Sequence, residues 1–252
     1  MTKIIMNGCN GRMGQVITKI VADTKDCEIV CGIDINDSIK NTYPVYKSLS
    51  EYDGKADVII DFSHPSILSS VLDYAKATNT PAIIATTGLT AEQKAEIGET
   101  SKSVAMFFSA NMSLGVNLLI DLVKKATKVL EENFDIEIVE KHHHNKIDAP
   151  SGTALAIADA ISDTLTNEAE YTYDRHSVRK KRSKNEIGIH SVRGGSIVGE
   201  HSVIFAGQDE VIEIKHQATS REVFAVGAVK AAKFLAGKPA GMYDMNDLIS
   251  DK

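Results

Sequence analysis

The segment Glu140-Lys141-His142-His143-His144-Asn145-Lys146-Ile147-Asp148-Ala149-Pro150-Ser151-Gly152-Thr153 gathers several cationic and protonatable groups within a few residues. Such crowding is unfavourable unless an anion or a proton transfer gives it a use. Ser151, just after Pro150, fits a helix N-cap. The amides of Gly152 and Thr153 would then face an incoming carboxylate. Lys146 adds a positive charge, and a histidine moves a proton near neutral pH. Two other readings stand beside this one. The run could be a solvated polar loop, or His142 and His144, alternating onto one strand face, could ligate a metal. No Cys, Asp or Glu cluster nearby completes such a site, so no metal is expected.

A second motif opens the chain. Gly8-Cys9-Asn10-Gly11-Arg12-Met13-Gly14 follows an apolar run and precedes a helical pattern. Glycines let the backbone approach a pyrophosphate held by the amides of a helix N-terminus. Asp34 stands 20 residues after Gly14, where an acid accepts hydrogen bonds from ribose hydroxyls. A plain tight turn with an incidental acid is the alternative. A carboxylate at position 34 repels a 2′-phosphate, and the next residue is Ile35 rather than Arg, so NADH, or use of both NADH and NADPH, is expected. Asp61-Phe62-Ser63-His64-Pro65 and Ala85-Thr86-Thr87-Gly88 also follow apolar strands. Thr86, Thr87 and Gly88 have groups to offer a nicotinamide. Arg193-Gly194-Gly195 joins two strand-like runs, with Arg193 either a second carboxylate clamp or a surface arginine.

The elements that must position these groups can be read from periodicity. Residues 3–7, 28–34, 57–61, 81–85 and 104–108 read as short apolar strands. Helical patterns at 12–24, 65–77 and 91–102 alternate with them. That order predicts a parallel sheet covered on both faces. A long helix is expected over 114–130. Residues 134–141 alternate, with Ile136 and Ile138 set against Glu137 and Glu140, as in a half-exposed strand. A helix follows over 151–165 and a polar irregular stretch over 166–186. Strand-like runs come next at 188–193, 197–205 and 211–216, then a helix over 221–236. The fold class is α/β: a Rossmann-type dinucleotide-binding domain plus a central α+β domain with a mixed sheet.

Composition narrows the function classes. The chain has 252 residues, 43% hydrophobic and 25% charged, with a net charge of −6. That balance argues against general nucleic-acid binding, which needs a basic footprint. The basic run Arg179-Lys180-Lys181-Arg182-Ser183-Lys184 reads as a solvated loop. Cys9, Cys27 and Cys31 lack zinc-site spacing and read as free thiols. No apolar run is long enough to span a bilayer. The N-terminus lacks a signal-peptide pattern. A cytoplasmic protein with no membrane partner is expected.

Taken together, these segments resemble the 4-hydroxy-tetrahydrodipicolinate reductase (dihydrodipicolinate reductase) family. The resemblance rests on Gly8 to Gly14, Ala85-Thr86-Thr87-Gly88 and Ser109-Ala110-Asn111-Met112, and above all on His142 to Lys146 with Asp148 to Thr153. Arg193-Gly194-Gly195, Gly199-Glu200-His201 and Gly241-Met242-Tyr243-Asp244-Met245 extend it over essentially the whole chain. It implies a dinucleotide-binding domain over 1–111 and 217–252, and a substrate and oligomerisation domain over 112–216 that builds a homotetramer. It implies reduction of a cyclic dicarboxylate imine by NADH or NADPH in lysine biosynthesis through diaminopimelate. His142 matches the family's proton donor/acceptor and Lys146 its proton donor. His143, Gly152 and Thr153 match binders of substrate carboxylates. Gly8, Cys9, Asn10, Gly11, Arg12, Met13 and Asp34 match the adenosine and pyrophosphate side. Thr86, Thr87, Gly88, Ser109, Ala110, Asn111 and Met112 match the nicotinamide side. The chain departs from its relatives at His144-Asn145, where Arg-His is frequent, and in lacking an Arg after Asp34. Two rival readings remain: another Rossmann imine or amino-acid dehydrogenase, and an NAD-binding redox sensor without turnover.

Overall fold

Runs such as Ile4-Ile5-Met6 and Val58-Ile59-Ile60 are apolar on both faces, so each needs cover above and below, and a parallel sheet between helices supplies it. The structure, a computed structural model, describes residues 1–109 and 111–251. It divides into two compact units, Met1–Leu114 with Glu222–Lys252, and Gly115–Arg221.

In the first unit the strands are β1 (Thr2–Asn7), β2 (Cys27–Ile33), β3 (Val45–Tyr46), β4 (Val58–Asp61), β5 (Ala82–Ile84), β6 (Ala105–Phe108) and β12 (Gly241–Tyr243). They form a seven-stranded sheet in the order β12-β6-β5-β4-β1-β2-β3, and every neighbouring pair is parallel. Helices α1 (Arg12–Ala22), α2 (Leu68–Thr78), α3 (Ala91–Thr100), α6 (Glu222–Leu235) and α7 (Met245–Ser250) belong to the same unit. One core joins Ile4, Met6, Ile60 and Phe107 to Ile17 and Val21 of α1 and Ala228 and Ala232 of α6. The other joins Ile5, Ile59 and Ile84 to Val71 and Leu72 of α2 and Ile97 of α3. Register aligns the carboxyl ends: Asn7 pairs with Ile33 and with Asp61, and Asp61 with Ile84. The chain leaves β1 toward β2 on one side and reaches β4 on the other. The loop after β1 therefore sits where strand order reverses, the usual ligand position in open α/β sheets.

The second unit holds α4 (Leu114–Leu130, its first residue in the other unit), α5 (Gly152–Ser162), β7 (Asp135–His142), β8 (Glu170–Thr172), β9 (Glu186–Arg193), β10 (Gly199–Ala206) and β11 (Val211–Ala218). Its sheet runs β11-β10-β7-β9-β8. The β7–β10 and β10–β11 pairs are antiparallel, and the β7–β9 and β8–β9 pairs parallel. Leu119 and Val123 of α4 and Ile157 and Ile161 of α5 pack on Ile136, Ile138, Ile189 and Val203. The stretch read as irregular contains β8. The basic run read as a solvated loop is pinned at Arg182, which bonds Asp135 (2.9 Å), Glu137 (3.0 Å) and the Ile136 carbonyl (2.8 Å). Among the described residues, no helix is long and apolar enough to cross a membrane.

Small residues let α6 approach its neighbours, and Gly227 is the extreme case. A Cβ there would lie 1.7 Å from the Met112 carbonyl oxygen, so backbone must move to admit it. Alanine would gain about 1 kcal/mol of helix propensity, but such overpacking costs about 1–3 kcal/mol. The expected result for Gly227→Ala is a net loss of stability in chemical denaturation. A denaturation midpoint equal to wild type would contradict the close packing of α6.

Candidate active site

At the end of β1 the backbone turns through Gly8, whose φ of +80° favours glycine. A Cβ on Gly8 would meet the Phe62 carbonyl oxygen at 2.5 Å, and one on Gly14 the Gly8 carbonyl oxygen at 2.2 Å. The loop thus folds flat against α1. Gly11 is the N-cap, extended at φ −71° and ψ 167°, with no side chain to cap the helix. The first-turn amides of Arg12, Met13 and Gly14 have no intrahelical acceptor, which suits a pyrophosphate. The predicted residues do not all contribute in the same way. Cys9 is buried and its amide bonds the Ile33 carbonyl; burial pushes its thiol up to about 11. The Asn10 amide donates to Asp34 Oδ2 at 2.9 Å, tying the loop to the end of β2. Asp34 Oδ1 accepts from the Asn36 amide, also at 2.9 Å. A cavity of about 930 Å³ opens here, lined by Gly8, Gly11, Asp34, Lys47, Phe62 and His64 among others. Glycines a Cβ would fill, an uncapped helix start and a strand-end acid all fit a dinucleotide.

The later strand ends are braced by Asp61, which is 1% exposed. It accepts from Asn7 Nδ2 (2.7 Å), Thr86 Oγ1 (2.7 Å) and the Ser63 hydroxyl. Burial raises its pKa, and those three donors oppose the rise. Thr86 is therefore buried and fully engaged, also accepting from the Ser63 amide (3.1 Å), while Thr87 and Gly88 are exposed. Ser109 Oγ bonds the Asn111 carbonyl (2.9 Å) and Asn111 Oδ1 accepts from the Ser113 amide (2.9 Å). The Met112 side chain lies in the core. Ala110 lies outside the described residues.

In the second unit, β7 ends at His142, so His144 falls beyond the strand and is exposed. Glu140 shares the inner face with Ile136 and Ile138 and has no exposed surface; the reading that set it on the polar face with Glu137 is corrected. Its carboxylate accepts from His142 Nδ1 (2.6 Å), the Ser151 amide (3.0 Å) and both terminal nitrogens of Arg193 (2.7 Å each). Burial raises the Glu140 pKa, but Arg193, His142, Ser191 and Ser151 outweigh it and bring the carboxyl down to about 2. Arg193 also bonds the Val192 (2.8 Å) and Asp148 (2.6 Å) carbonyls. Its terminal protons are thus spent on protein, and it is neither a free substrate clamp nor a surface arginine.

The loop after β7 is held from both sides. Gly194 donates to the His142 carbonyl (2.9 Å) and His144 to the Gly195 carbonyl (3.2 Å). Ser151 caps α5, its hydroxyl accepting from the Ala154 amide (3.1 Å) and lying 3.1 Å from His201 Nε2. His201 is held at Nε2 by this contact, while its Nδ1 is buried without a partner. Burial above all, with His142 nearby, pushes His201 down to about 4. His143 is also pushed down, by burial and then by Arg221, His142 and Lys146. Lys146 Nζ sits 2.8 Å from Asp148 Oδ1, and the Gly152 amide bonds the same carboxylate. Two of the predicted anion-binding groups therefore already hold a carboxylate supplied by the chain. A Cβ on Gly152 would meet nothing within 4 Å, which leaves room for a ligand. Among the described residues, no group of His, Cys, Asp and Glu could hold a metal ion. A second cavity in this unit, about 530 Å³ beside Glu131, Phe134 and Thr166, touches none of the predicted site residues.

Comparison with known proteins bears on both units. Residues 2–112 match the family model described as dihydrodipicolinate reductase, N-terminus, and residues 115–249 the one described as its C-terminus. The chain is similar to the 4-hydroxy-tetrahydrodipicolinate reductase of Clostridium novyi, 50% identical over 252 residues and covering 100% of each. It is similar also to that of Caldanaerobacter subterraneus subsp. tengcongensis, 53% identical over 249 residues, covering 99% of this chain and 98% of the relative. In fold it is similar to a dipicolinate-bound dihydrodipicolinate reductase from Paenisporosarcina sp. TG-14, with TM-score 0.84 and 23% identity, covering 98% and 99% of the two chains.

The shifted groups set a pH dependence of stability. An unfolded histidine protonates below its usual 6.5, whereas His201 in the fold resists until about 4, so folding weakens as pH falls through that window. Glu140 acts below it, losing stabilisation between its usual 4.5 and about 2. Both slopes have the same sign, stability rising with pH. The thermal midpoint is expected to fall as pH drops from 6.5 to 4, by the equivalent of about 3 kcal/mol for His201. His201→Asn should flatten that limb. An unchanged pH slope in the variant would show that His201 does not carry it.

Proposed function

The chain belongs to the dihydrodipicolinate reductase family, and from that premise we propose that it reduces 4-hydroxy-tetrahydrodipicolinate to tetrahydrodipicolinate in lysine biosynthesis through diaminopimelate, using a reduced nicotinamide nucleotide and releasing water. The observation that carries the substrate class is Asp148, whose carboxylate already rests on Lys146 Nζ and the Gly152 amide. A substrate carboxylate takes the same donors by displacing it. His143 and Thr153 complete the anion-binding end.

The first unit binds the dinucleotide through residues 8–13 and Asp34, with 86–88 and 109–112 on the nicotinamide side. A bound nicotinamide supplies hydride to C4 of the substrate ring. There hydride replaces the hydroxyl, which leaves as hydroxide and needs one proton to become water. His142 and Lys146 supply that proton. Fixed cations and helix amides hold the two carboxylates, so orientation and charge are set before the reaction. Asp34 favours NADH or use of both nucleotides: its oxygens accept from backbone amides, no arginine follows it, and the nearby Lys47 is held by Asp37 at 2.7 Å. A homotetramer fits the second sheet, whose face away from α4 and α5 carries half-buried Val139 and Ile204 and exposed Val192 and Val211.

The test is a coupled assay in which pyruvate, aspartate semialdehyde and the upstream synthase generate the unstable substrate in place. Rapid enzyme-dependent loss of nicotinamide absorbance is expected, with kcat/KM for NADH equal to or above that for NADPH. His142→Ala and Lys146→Ala are expected to lower kcat by roughly 100-fold or more and leave NADH binding intact in a fluorescence titration. Normal turnover in both variants would remove these residues from the mechanism, and a strong preference for NADPH would overturn the reading of Asp34.

A further inference from the structure

We propose that Glu140 is a positioning residue of the reaction, one that fixes which nitrogen of His142 faces the substrate and locks that ring to the anion-binding end of α5. The inference rests on His142 serving as a proton-transfer group, and adds a residue that acts through it. Glu140 and His142 are two apart on β7, so both point to the inner face of the sheet. The carboxylate, 2.6 Å from Nδ1, is an acceptor only. It therefore requires Nδ1 to carry hydrogen and leaves Nε2 on the far side of the ring for proton exchange.

Three further contacts define the pose. The His201 ring stands edge-on to His142 with centroids 5.3 Å apart, which limits tilting. Gly199 lies at the other end of the ring, where an added Cβ would be 3.1 Å from Nε2, so the absence of a side chain there leaves Nε2 uncrowded. The same carboxylate accepts from the Ser151 amide, at the N-cap of α5, and from Arg193. One buried anion thus registers the proton-transfer ring, the helix start beside Gly152 and the loop beyond β9. Glu140 is fully covered by protein and does not meet substrate.

The wild-type tautomer tests this directly. In 15N NMR of histidine-labelled protein, with the His142 signals assigned by their loss in His142→Gln, neutral His142 is expected to be protonated at Nδ1 and bare at Nε2. The opposite tautomer in wild type overturns the proposal without reference to any variant. In Glu140→Gln, kcat is expected to fall on the order of 10–100-fold, as when an orienting partner is lost. Nucleotide binding by fluorescence titration should remain, and the tautomer should become mixed or reversed. A folded Glu140→Gln protein with wild-type kcat and tautomer likewise overturns it. If the wild type fails to turn over the proposed substrate, the functional reading fails alone, and the tautomer still decides the role of Glu140.

Discussion

An ionised carboxylate removed from water is tolerated only where hydrogen bonds and opposite charge replace its hydration. Glu140 meets that condition through Arg193, His142 and Ser151, and much of the second unit follows from it. Arg193 must lie at the end of β9 beside β7, which the parallel pairing of His142 with Arg193 provides. The Arg193 terminal nitrogens then reach the Asp148 carbonyl, holding the loop that carries Lys146. The Ser151 amide must point inward, which fixes where α5 begins. Loop geometry after β7 is thus dictated by one charge at its root rather than by loop residues themselves.

The first unit uses a buried acid differently. Asp61 also sits at a strand end and also gathers several loops, through Asn7, Ser63 and Thr86. Asn7, Ser63 and Thr86 are neutral, and burial raises the Asp61 pKa, whereas the guanidinium beside Glu140 helps drive that carboxyl down. A neutral cluster thus braces the strand-end loops of the first unit, and a charged one holds the His142 imidazole and Arg193 in the second.

Much of this was legible in the sequence because it lies in long periodic stretches or in backbone-demanding glycines. The apolar runs of β1, β2 and β4 and the stripes of α1 and α4 have enough residues for their pattern to show. β3, β8 and β12 do not: strands of two or three residues carry no period, and partners such as Ala105 opposite Gly241 create them. The short helix α7 depends on Asp244 capping Asn246 and Asp247, a local signal with no apolar stripe behind it. Within the site, the types and spacing of His142, Lys146 and Ser151-Gly152 pointed to proton transfer and anion binding. Glu140 escaped because its charge outweighed its position. Counting by two from Ile136 and Ile138 puts it on the inner face, and that parity was the available signal.

Lys146 Nζ and the Gly152 amide, the donors of the proposed anion site, are held by the chain's own Asp148 carboxylate. Lysine and helix amides exposed together without an anion would repel one another and invite adventitious ions. A tethered aspartate satisfies them while staying more than half exposed in its side chain, so it remains easy to displace. For the proposed substrate, two properties favour exchange with Asp148. The substrate brings two carboxylates where Asp148 brings one, and Asp148 on release keeps its hydration because it already faces water. Glu140, with no exposed surface, has no such freedom. The loop after β7 therefore pairs a buried carboxylate, which sets geometry, with a solvent-facing one held by Lys146 at the surface.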